Sequence, residues 1–286
     1  MRKISLFGVM CLLALFVVSL AGCKKEEVNN NGNNNGNTEN PGGGSSDGNY
    51  NNQEYPSTAN VIRRAVTDID GNIYDAVQIG NQVWMAENLR TTKYADGTTI
   101  PLGTDSSTIT AYRYAPGPNQ SNEENMVNVP RYGYLYNWPA VMHGASSSEA
   151  NPSGVQGICP NGWHVPSEDE SYQLLIYLAS HGFGTGELII YVAKALASTW
   201  GWNSTNEPNV PGNNPSTNNA SGFSALPSGR HYNKYINFGD SFSFWTTTEQ
   251  PIEPRAVGHG IQYNEASFGT KEFHKYNGCS VRCVRD

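Results

Sequence analysis

The first apolar run of the chain covers residues 4–20 and directly follows Arg2 and Lys3. A short basic segment, an apolar stretch and a tail of small residues are typical of a secretory signal. The run is too short, and charged residues follow it too closely, for a helix that spans a bilayer. The pattern therefore predicts that residues 1–22 are a secretory signal peptide.

A strongly polar tract comes next, with eleven Asn and six Gly among the 24 residues of 29–52. Such a tract cannot bury enough apolar surface to offset the conformational entropy that ordering would cost. We expect residues 23–60 to form a flexible tether and residues 61–286 to form one folded domain.

The pattern of the domain begins with two predicted strands. Apolar and β-branched residues dominate 73–79 and 82–85, and the Gly80-Asn81 pair between them is typical of a hairpin turn. The preceding string DIDGN at 68–72 resembles part of a calcium loop. A calcium loop would need a bidentate Glu where Ile79 stands, so the string predicts a turn.

The hydrophobic spacing predicts two helices in the middle of the chain. Ser167 and Glu170 form a capping box at the start of the first, which should end at His181. Its core-facing side is predicted to carry Tyr172, Leu175, Ile176 and Ala179. A second helix is predicted over 187–197, and short strands follow to the end. Strands on both sides of two helices indicate an α+β fold with long irregular loops.

Composition and charge exclude several classes of protein. Hydrophobic residues make up 37% of the chain and charged residues only 15%, which does not fit a coiled coil. The formal net charge of −7 makes a nucleic-acid backbone an unsuitable partner. We therefore expect no nucleic-acid partner.

The end of the signal carries the string Leu20-Ala21-Gly22-Cys23, which resembles the lipobox of bacterial lipoproteins. That resemblance implies that Cys23 is acylated and inserts into membrane lipid, and several acyl chains would hold it stably. The following residues, KKEE at 24–27, are similar to the export signal of Bacteroidetes outer-membrane lipoproteins. The expected location is therefore the outer membrane, with the domain lipid-anchored and exposed on the cell surface.

Seven blocks of the domain are similar, in order, to one family, the Fibrobacter succinogenes major paralogous domain. They are DGNIY (70–74), IGNQVWMAENL (79–89), GYLYNW (133–138), CPNGWHVPS (159–167), GFSALPSG (222–229), FWTTT (244–248) and SVRCV (280–284). The resemblance implies a C-type lectin-like fold with short antiparallel strands, two helices and long irregular loops. It also implies a distant relationship to the formylglycine-generating enzymes.

Three cysteines remain in the domain, namely Cys159, Cys279 and Cys283. In an oxidising compartment they allow one disulfide and one free thiol. Cys279 and Cys283 are four residues apart on a predicted strand, about 13 Å, which is beyond disulfide reach. Cys159 could therefore pair with either of them, and the family resemblance implies the pair Cys159–Cys283.

Aromatic residues are candidates for ligand contacts. Trp84, Trp138, Trp163 and Trp245 lie inside the family blocks and are expected to be core residues. Trp200 and Trp202 border the Asn- and Pro-rich loop 203–221, so we expect them to form a ligand-binding surface with that loop.

The loop contains Glu207-Pro208-Asn209, a tripeptide that holds calcium and sugar hydroxyls in calcium-dependent lectins. Calcium needs six to eight oxygen ligands, and the second lectin motif is absent because threonines follow Trp245. We therefore predict no metal, while Glu207 and Asn209 stay as candidate ligand-binding residues.

Motifs of catalysis are missing from the sequence. Its one Gly-x-Ser-x-Gly string, GSSDG at 44–48, lies in the polar tract and not between a strand and a helix, and it has no His-Glu-x-x-His pair and no phosphate-binding loop. The formylglycine-generating relatives use two active-site cysteines, whereas only one thiol is left unpaired here. The leading hypothesis is a non-catalytic binding or adhesion module, without cofactor, for an extracellular glycan or protein. The alternatives are a glycan-processing or protein-modifying enzyme and a structural or accessory subunit of a surface fibre.

Overall fold

The structure is a computed structural model that describes residues 55–186, 188–251 and 254–286. The predicted signal peptide, Cys23 and most of the predicted tether lie outside these residues. The strands are β1 (Asn60–Thr67), β2 (Ile73–Ile79), β3 (Gln82–Met85), β4 (Arg113–Tyr114), β5 (Leu135–Tyr136), β6 (Trp163–His164), β7 (Arg230–His231), β8 (Tyr235–Ile236), β9 (Ser241–Glu249), β10 (Arg255–Gln262), β11 (Gly269–His274) and β12 (Val284–Arg285).

The helices are mostly single turns, and only one is long. They are α1 (Asn122–Asn125), α2 (Val129–Tyr132), α3 (Trp138–Met142), α4 (Glu168–Ser180) and α5 (Ala193–Leu196), with 3₁₀ turns at Met126–Asn128 and Pro215–Thr217. Among the described residues, no helix is long and apolar enough to cross a membrane. The expected α+β class, with short antiparallel strands and few helices, is confirmed.

The largest sheet has the order β1-β2-β3-β12-β6, and all its neighbouring strands are antiparallel. The predicted hairpin is confirmed: Ile79 pairs with Gln82 across the turn, and Gly80 has a φ of +61°. A second sheet has the order β11-β10-β9, and β4–β5 and β7–β8 form two small ribbons. The last strand of the chain, β12, therefore lies inside the first sheet, between β3 and β6.

Apolar side chains cover both faces of the β2–β3 hairpin. Tyr74 and Met85 point into one core cluster, which contains the disulfide. Val77 and Trp84 point into a second cluster, which α4 covers. An antiparallel sheet commonly keeps one wet face. Burial on both faces explains why β2 and β3 are apolar with little alternation.

The disulfide joins Cys159 to Cys283, as the family resemblance implied, and it links residues 124 apart in sequence. Cys279 is the free thiol and is fully buried. The four tryptophans expected in the core are all buried there: Trp84, Trp138, Trp163 and Trp245.

The predicted capping box of α4 is confirmed, because Ser167 and Glu170 each bond the other's backbone amide. The predicted core-facing side is partly wrong. Leu175 is buried, but Tyr172 and Ile176 are 41% and 59% exposed. The buried side of α4 is shifted by one residue and includes Ser171, Leu174 and Leu178. The polar Ser171 can be buried there because its hydroxyl donates to the Ser167 carbonyl.

The second predicted helix, over 187–197, is wrong except for the turn of α5. The backbone before and at the start of α5 is hydrogen-bonded to the loop at 266–268. The Phe268 amide donates to the Ile190 carbonyl, and the Ala193 amide donates to the Ala266 carbonyl. Leu188 and Ile189 are exposed. β-Branched residues resist helix formation, so this segment follows its tertiary partner.

One arginine is completely buried between the two clusters. Arg282 donates four hydrogen bonds, to the Asn88 side chain and to the carbonyls of Met85, Phe223 and Ser224, at 2.7–2.8 Å. Its guanidinium also lies 4.7 Å from the ring centre of Phe223. Burial lowers the pKa of Arg282 to about 9, while the nearby Tyr55 and Glu87 oppose that shift. The side chain ties the segment before β12 to the end of β3 and to the loop at 223–224.

A histidine is buried among aromatic rings in β10. His259 lies 5.1 Å from Phe268 and 5.6 Å from Tyr172, measured between ring centres, and neither ring nitrogen has a hydrogen-bond partner among the described residues. Burial lowers the pKa of His259 to about 4. The folded protein therefore holds this ring neutral.

We expect His259 to make the fold sensitive to acid. The unfolded chain binds a proton near pH 6.5 and the folded chain only near 4, so the stability is complete above pH 6.5 and falls below it. The loss by pH 4 is about 3 kcal/mol. In His259→Phe this loss should disappear, which urea unfolding at pH 7, 5.5 and 4.5 can measure. Burial also lowers the pKa of His231 to about 4. His231 is present in both proteins, so its contribution to the pH dependence cancels in the comparison. Identical pH profiles would contradict the assignment.

Candidate functional site

An aromatic surface lies where three segments of the chain meet. Trp200 is partly buried, and its ring meets Tyr132 of α2 edge-on at 5.6 Å between centres. The exposed Arg131 guanidinium lies 5.3 Å from the Trp200 ring centre. On the other side, Tyr132 packs on Phe238 at 4.8 Å. The Tyr132 ring that joins them is only 8% exposed, so we call Arg131, Trp200 and Phe238 the Trp200 surface.

Polar side chains border this surface. The amide of Asn203 donates to the Gly239 carbonyl at 2.8 Å, and the Asn203 side chain donates to Asp240 at 2.8 Å. These bonds fix the segment after Trp200 against the segment after Phe238. A rigid set of rings with a polar edge can stack on the apolar face of a ligand and bond its hydroxyl groups.

Trp202 does not belong to the surface, so the expectation for it is corrected. It is 7% exposed, packs in the second core cluster and donates its indole N–H to the Ser198 hydroxyl at 3.1 Å. Gly201 has a φ of +88°, and the turn at this glycine places Trp200 on the surface and Trp202 inside. A buried indole cannot stack on a ligand.

Glu207 and Asn209 are both exposed, at the outer end of loop 203–221. The Glu207 amide donates to the Thr205 hydroxyl, and Asn209 has a left-handed backbone. No hydrogen bond of the described residues joins either side chain to the Trp200 surface. Within the same residues, no group of three His, Cys, Asp or Glu side chains is arranged to hold a metal ion.

The sequence did not reveal what orders the loop. The Lys194 ammonium of α5 donates to the Asn213 carbonyl at 2.6 Å, to the Asn218 side chain at 2.8 Å and to the Val210 carbonyl at 3.4 Å. Desolvation lowers the pKa of Lys194. A lysine ammonium thus stands among oxygen atoms inside the loop, and only the folded chain brings these atoms together.

The array most similar to acid–base machinery is a histidine between two carboxylates. His164 Nε2 lies 2.7 Å from Glu170, and Nδ1 lies 2.7 Å from Asp286. Burial opposes the charged ring, but these two hydrogen bonds outweigh it and raise the pKa of His164. His164 is 3% exposed, and Glu170 also accepts bonds from the Ser153 and Ser167 amides. The array connects β6, α4 and the segment after β12.

The free thiol is equally inaccessible. Cys279 is fully buried, and burial raises its pKa to about 12. A nucleophilic cysteine needs a lowered pKa and access to substrate. Cys279 therefore serves packing.

The predicted turn at 68–72 is confirmed, and the structure shows that carboxylates hold it. Asp68 accepts bonds from the Asp70 and Asn72 amides and from the Tyr74 hydroxyl. Asp70 accepts bonds from Thr92, and hydrogen bonding there lowers its pKa despite desolvation. These carboxylates close turns rather than converge on an ion.

Comparison with known proteins gives one match. The model of the Fibrobacter succinogenes major domain matches residues 77–285, which is well over half of the chain. No curated protein and no solved structure matches the chain. The match begins within β2 and ends with β12, so it contains α4, the disulfide and the Trp200 surface. The chain therefore belongs to the Fibrobacter succinogenes major domain family.

Proposed function

We propose that this protein is a non-catalytic binding or adhesion module, and that the Trp200 surface contacts an extracellular glycan or protein. The observation that carries the proposal is the partly exposed Trp200 ring, held between Arg131 and Tyr132 beside a polar edge. Tryptophan and arginine are over-represented among residues that dominate binding energy. Loops fixed on a rigid scaffold are common positions for binding residues.

The polar groups that resemble catalytic machinery support this choice over an enzyme. His164, Glu170 and Cys279 are buried, and His164 and Glu170 are hydrogen-bonded to each other. A ligand that rests on the Trp200 surface would meet rings, the Arg131 guanidinium and, at the polar edge, the Asn203 amide and the lone Asp240 carboxylate. These groups bind and orient, and they offer no acid–base pair.

We propose further that the fold is C-type lectin-like. The segment 163–167 that leads into α4 and the disulfide from Cys159 to Cys283, next to β12, support this proposal. A crystal structure would test it by superposition on a C-type lectin-like domain. A different connectivity of the sheet and α4 would contradict it.

The place of action in this proposal is the outer face of the outer membrane. The lipobox at 20–23 and the charged residues after it support an acylated Cys23, and residues 24–54 would give the domain reach. Growth with a labelled fatty acid tests this, because Cys23→Ser should abolish the label. A Cys23→Ser protein that stays labelled would contradict the lipid anchor.

Replacing Trp200 by alanine should weaken ligand binding about 30-fold, because removal of a central aromatic contact costs about 2 kcal/mol. The measurement is a glycan and surface-protein array, followed by calorimetry on each ligand that binds. Ile109→Ala is the matched control, since Ile109 is 88% exposed and outside the Trp200 surface. Equal affinities of wild type and Trp200→Ala for every ligand would contradict the assignment.

A further inference from the structure

A second group of aromatic rings lies at the surface, around the turn that follows β11. His274 and Tyr276 stack nearly parallel, with centres 4.9 Å apart and planes at 8°. Tyr276 and Tyr232 lie 5.7 Å apart at 37°. Tyr232 is 41% exposed, and the other two rings are partly exposed. We call these three rings the Tyr276 strip.

The backbone under the strip is fixed on both sides. The Asn277 amide donates to the His274 carbonyl at 2.8 Å, which closes the turn that carries Tyr276. The Tyr232 amide donates to the Lys234 carbonyl at 2.8 Å in the β7–β8 turn. The rings are therefore in place before a ligand arrives, and binding would cost little ordering entropy.

Positive charge accompanies the rings, although the whole chain carries −7. Arg255 of β10 pairs with His274 of β11. Burial raises the pKa of the Tyr276 hydroxyl to about 12, and the positive charge of Arg255 opposes that rise. Lys234 is exposed in the turn next to Tyr232. Lys275, between His274 and Tyr276, is turned inward, since it pairs with Glu249 and lies over Trp138.

The combination of aromatic rings and cationic side chains indicates the chemical class of the ligand. His274 and Tyr276 cover each other's facing sides, so the exposed Tyr232 ring and the outer parts of the stacked pair are the positions left for a sugar polymer, and each tyrosine hydroxyl offers a polar contact at the ring edge. Arginine and lysine beside the row favour units that carry carboxylates. Sugar rings of the uronic acid type present both an apolar face and a carboxylate.

We propose that the Tyr276 strip is a second binding site, and that it takes an acidic polysaccharide made of uronic acid units. A sugar face stacks on Tyr232, a neighbouring unit contacts the outer part of the stacked Tyr276–His274 pair, and sugar carboxylates pair with Arg255 and Lys234. The proposal deepens the binding function by naming a ligand class, and it uses residues separate from the Trp200 surface.

The test is affinity electrophoresis and calorimetry of the whole protein with polygalacturonate, with dextran as the neutral polymer. Tyr276→Ala should weaken polygalacturonate binding about tenfold, and Tyr276→Phe should keep it within about threefold, because the ring is retained. Tyr232→Ala provides a second test at a more exposed ring. Arg255→Gln should weaken binding and reduce its dependence on salt.

Three results would overturn the proposal. They are no retention by polygalacturonate, retention unchanged in both Tyr276→Ala and Tyr232→Ala, and equally tight binding of a thymidine oligonucleotide, which would indicate a preference for polyanions in general. Trp200→Ala separates the two sites. If it abolishes polygalacturonate binding while Tyr276→Ala does not, this inference fails and the proposed function stands.

Discussion

Arg282→Met should lower the free energy of unfolding by about 4 kcal/mol or more. The guanidinium serves four acceptors in a fully buried position, namely the Asn88 side chain and the carbonyls of Met85, Phe223 and Ser224. Each acceptor that loses its donor in the core costs about 1–3 kcal/mol, and methionine replaces only the apolar volume. Urea unfolding followed by tryptophan fluorescence gives the difference in free energy.

Arg285→Met is the matched control, because Arg285 is an exposed arginine three residues further on in β12. It should change the free energy of unfolding by less than about 0.5 kcal/mol. An Arg282→Met protein as stable as the Arg285→Met protein would show that the buried arginine does not hold the two clusters together.

Removing the disulfide should have a similarly large effect. The double variant Cys159→Ala, Cys283→Ala opens a loop of 124 residues, and the loop-entropy account gives a loss of about 3–5 kcal/mol. The expected result is a lower urea midpoint for the double variant and for wild type under reductant.

Cys279→Ala provides the control for the disulfide. It removes a buried thiol but keeps the bridge, so its midpoint should fall only slightly and should still respond to reductant. If reductant leaves the wild-type midpoint unchanged, the bridge adds no stability.

Parts of the fold governed by local sequence were predicted well. The Gly80-Asn81 turn defines the β2–β3 hairpin, and the capping box at Ser167 defines the start of α4. Both depend on residues within a few positions of each other. The disulfide needed the family resemblance, since spacing alone left two partners for Cys159.

The incorrect predictions concern segments whose conformation depends on contacts with distant parts of the chain. The α4 side that faces the core includes Glu170 and Ser171, which are polar but hydrogen-bonded, so hydrophobic spacing pointed one residue away. Segment 187–197 is helical only in α5, because the backbone around Ile190 and Ala193 is hydrogen-bonded to residues 266–268.

The candidate site shows the same limit. The sequence predicts Trp200 as a candidate, but its partners Arg131 and Tyr132 come from a part of the chain that only the fold brings to it. The position of Trp202 beside loop 203–221 predicts a surface residue, but the turn at Gly201 directs its side chain into the core. Composition cannot separate an exposed tryptophan from a buried one.

The most direct test of the binding account is the indole N–H spectrum of the ¹⁵N-labelled protein during titration with a ligand found on the array. The chain has six tryptophans, and Trp200→Phe and Trp202→Phe identify the two signals of interest. We expect the Trp200 signal to shift in proportion to occupancy, while the Trp202 signal, bonded to Ser198 in the core, stays in place. A bound ligand that leaves the Trp200 signal unmoved would contradict the assignment of this surface as the binding site.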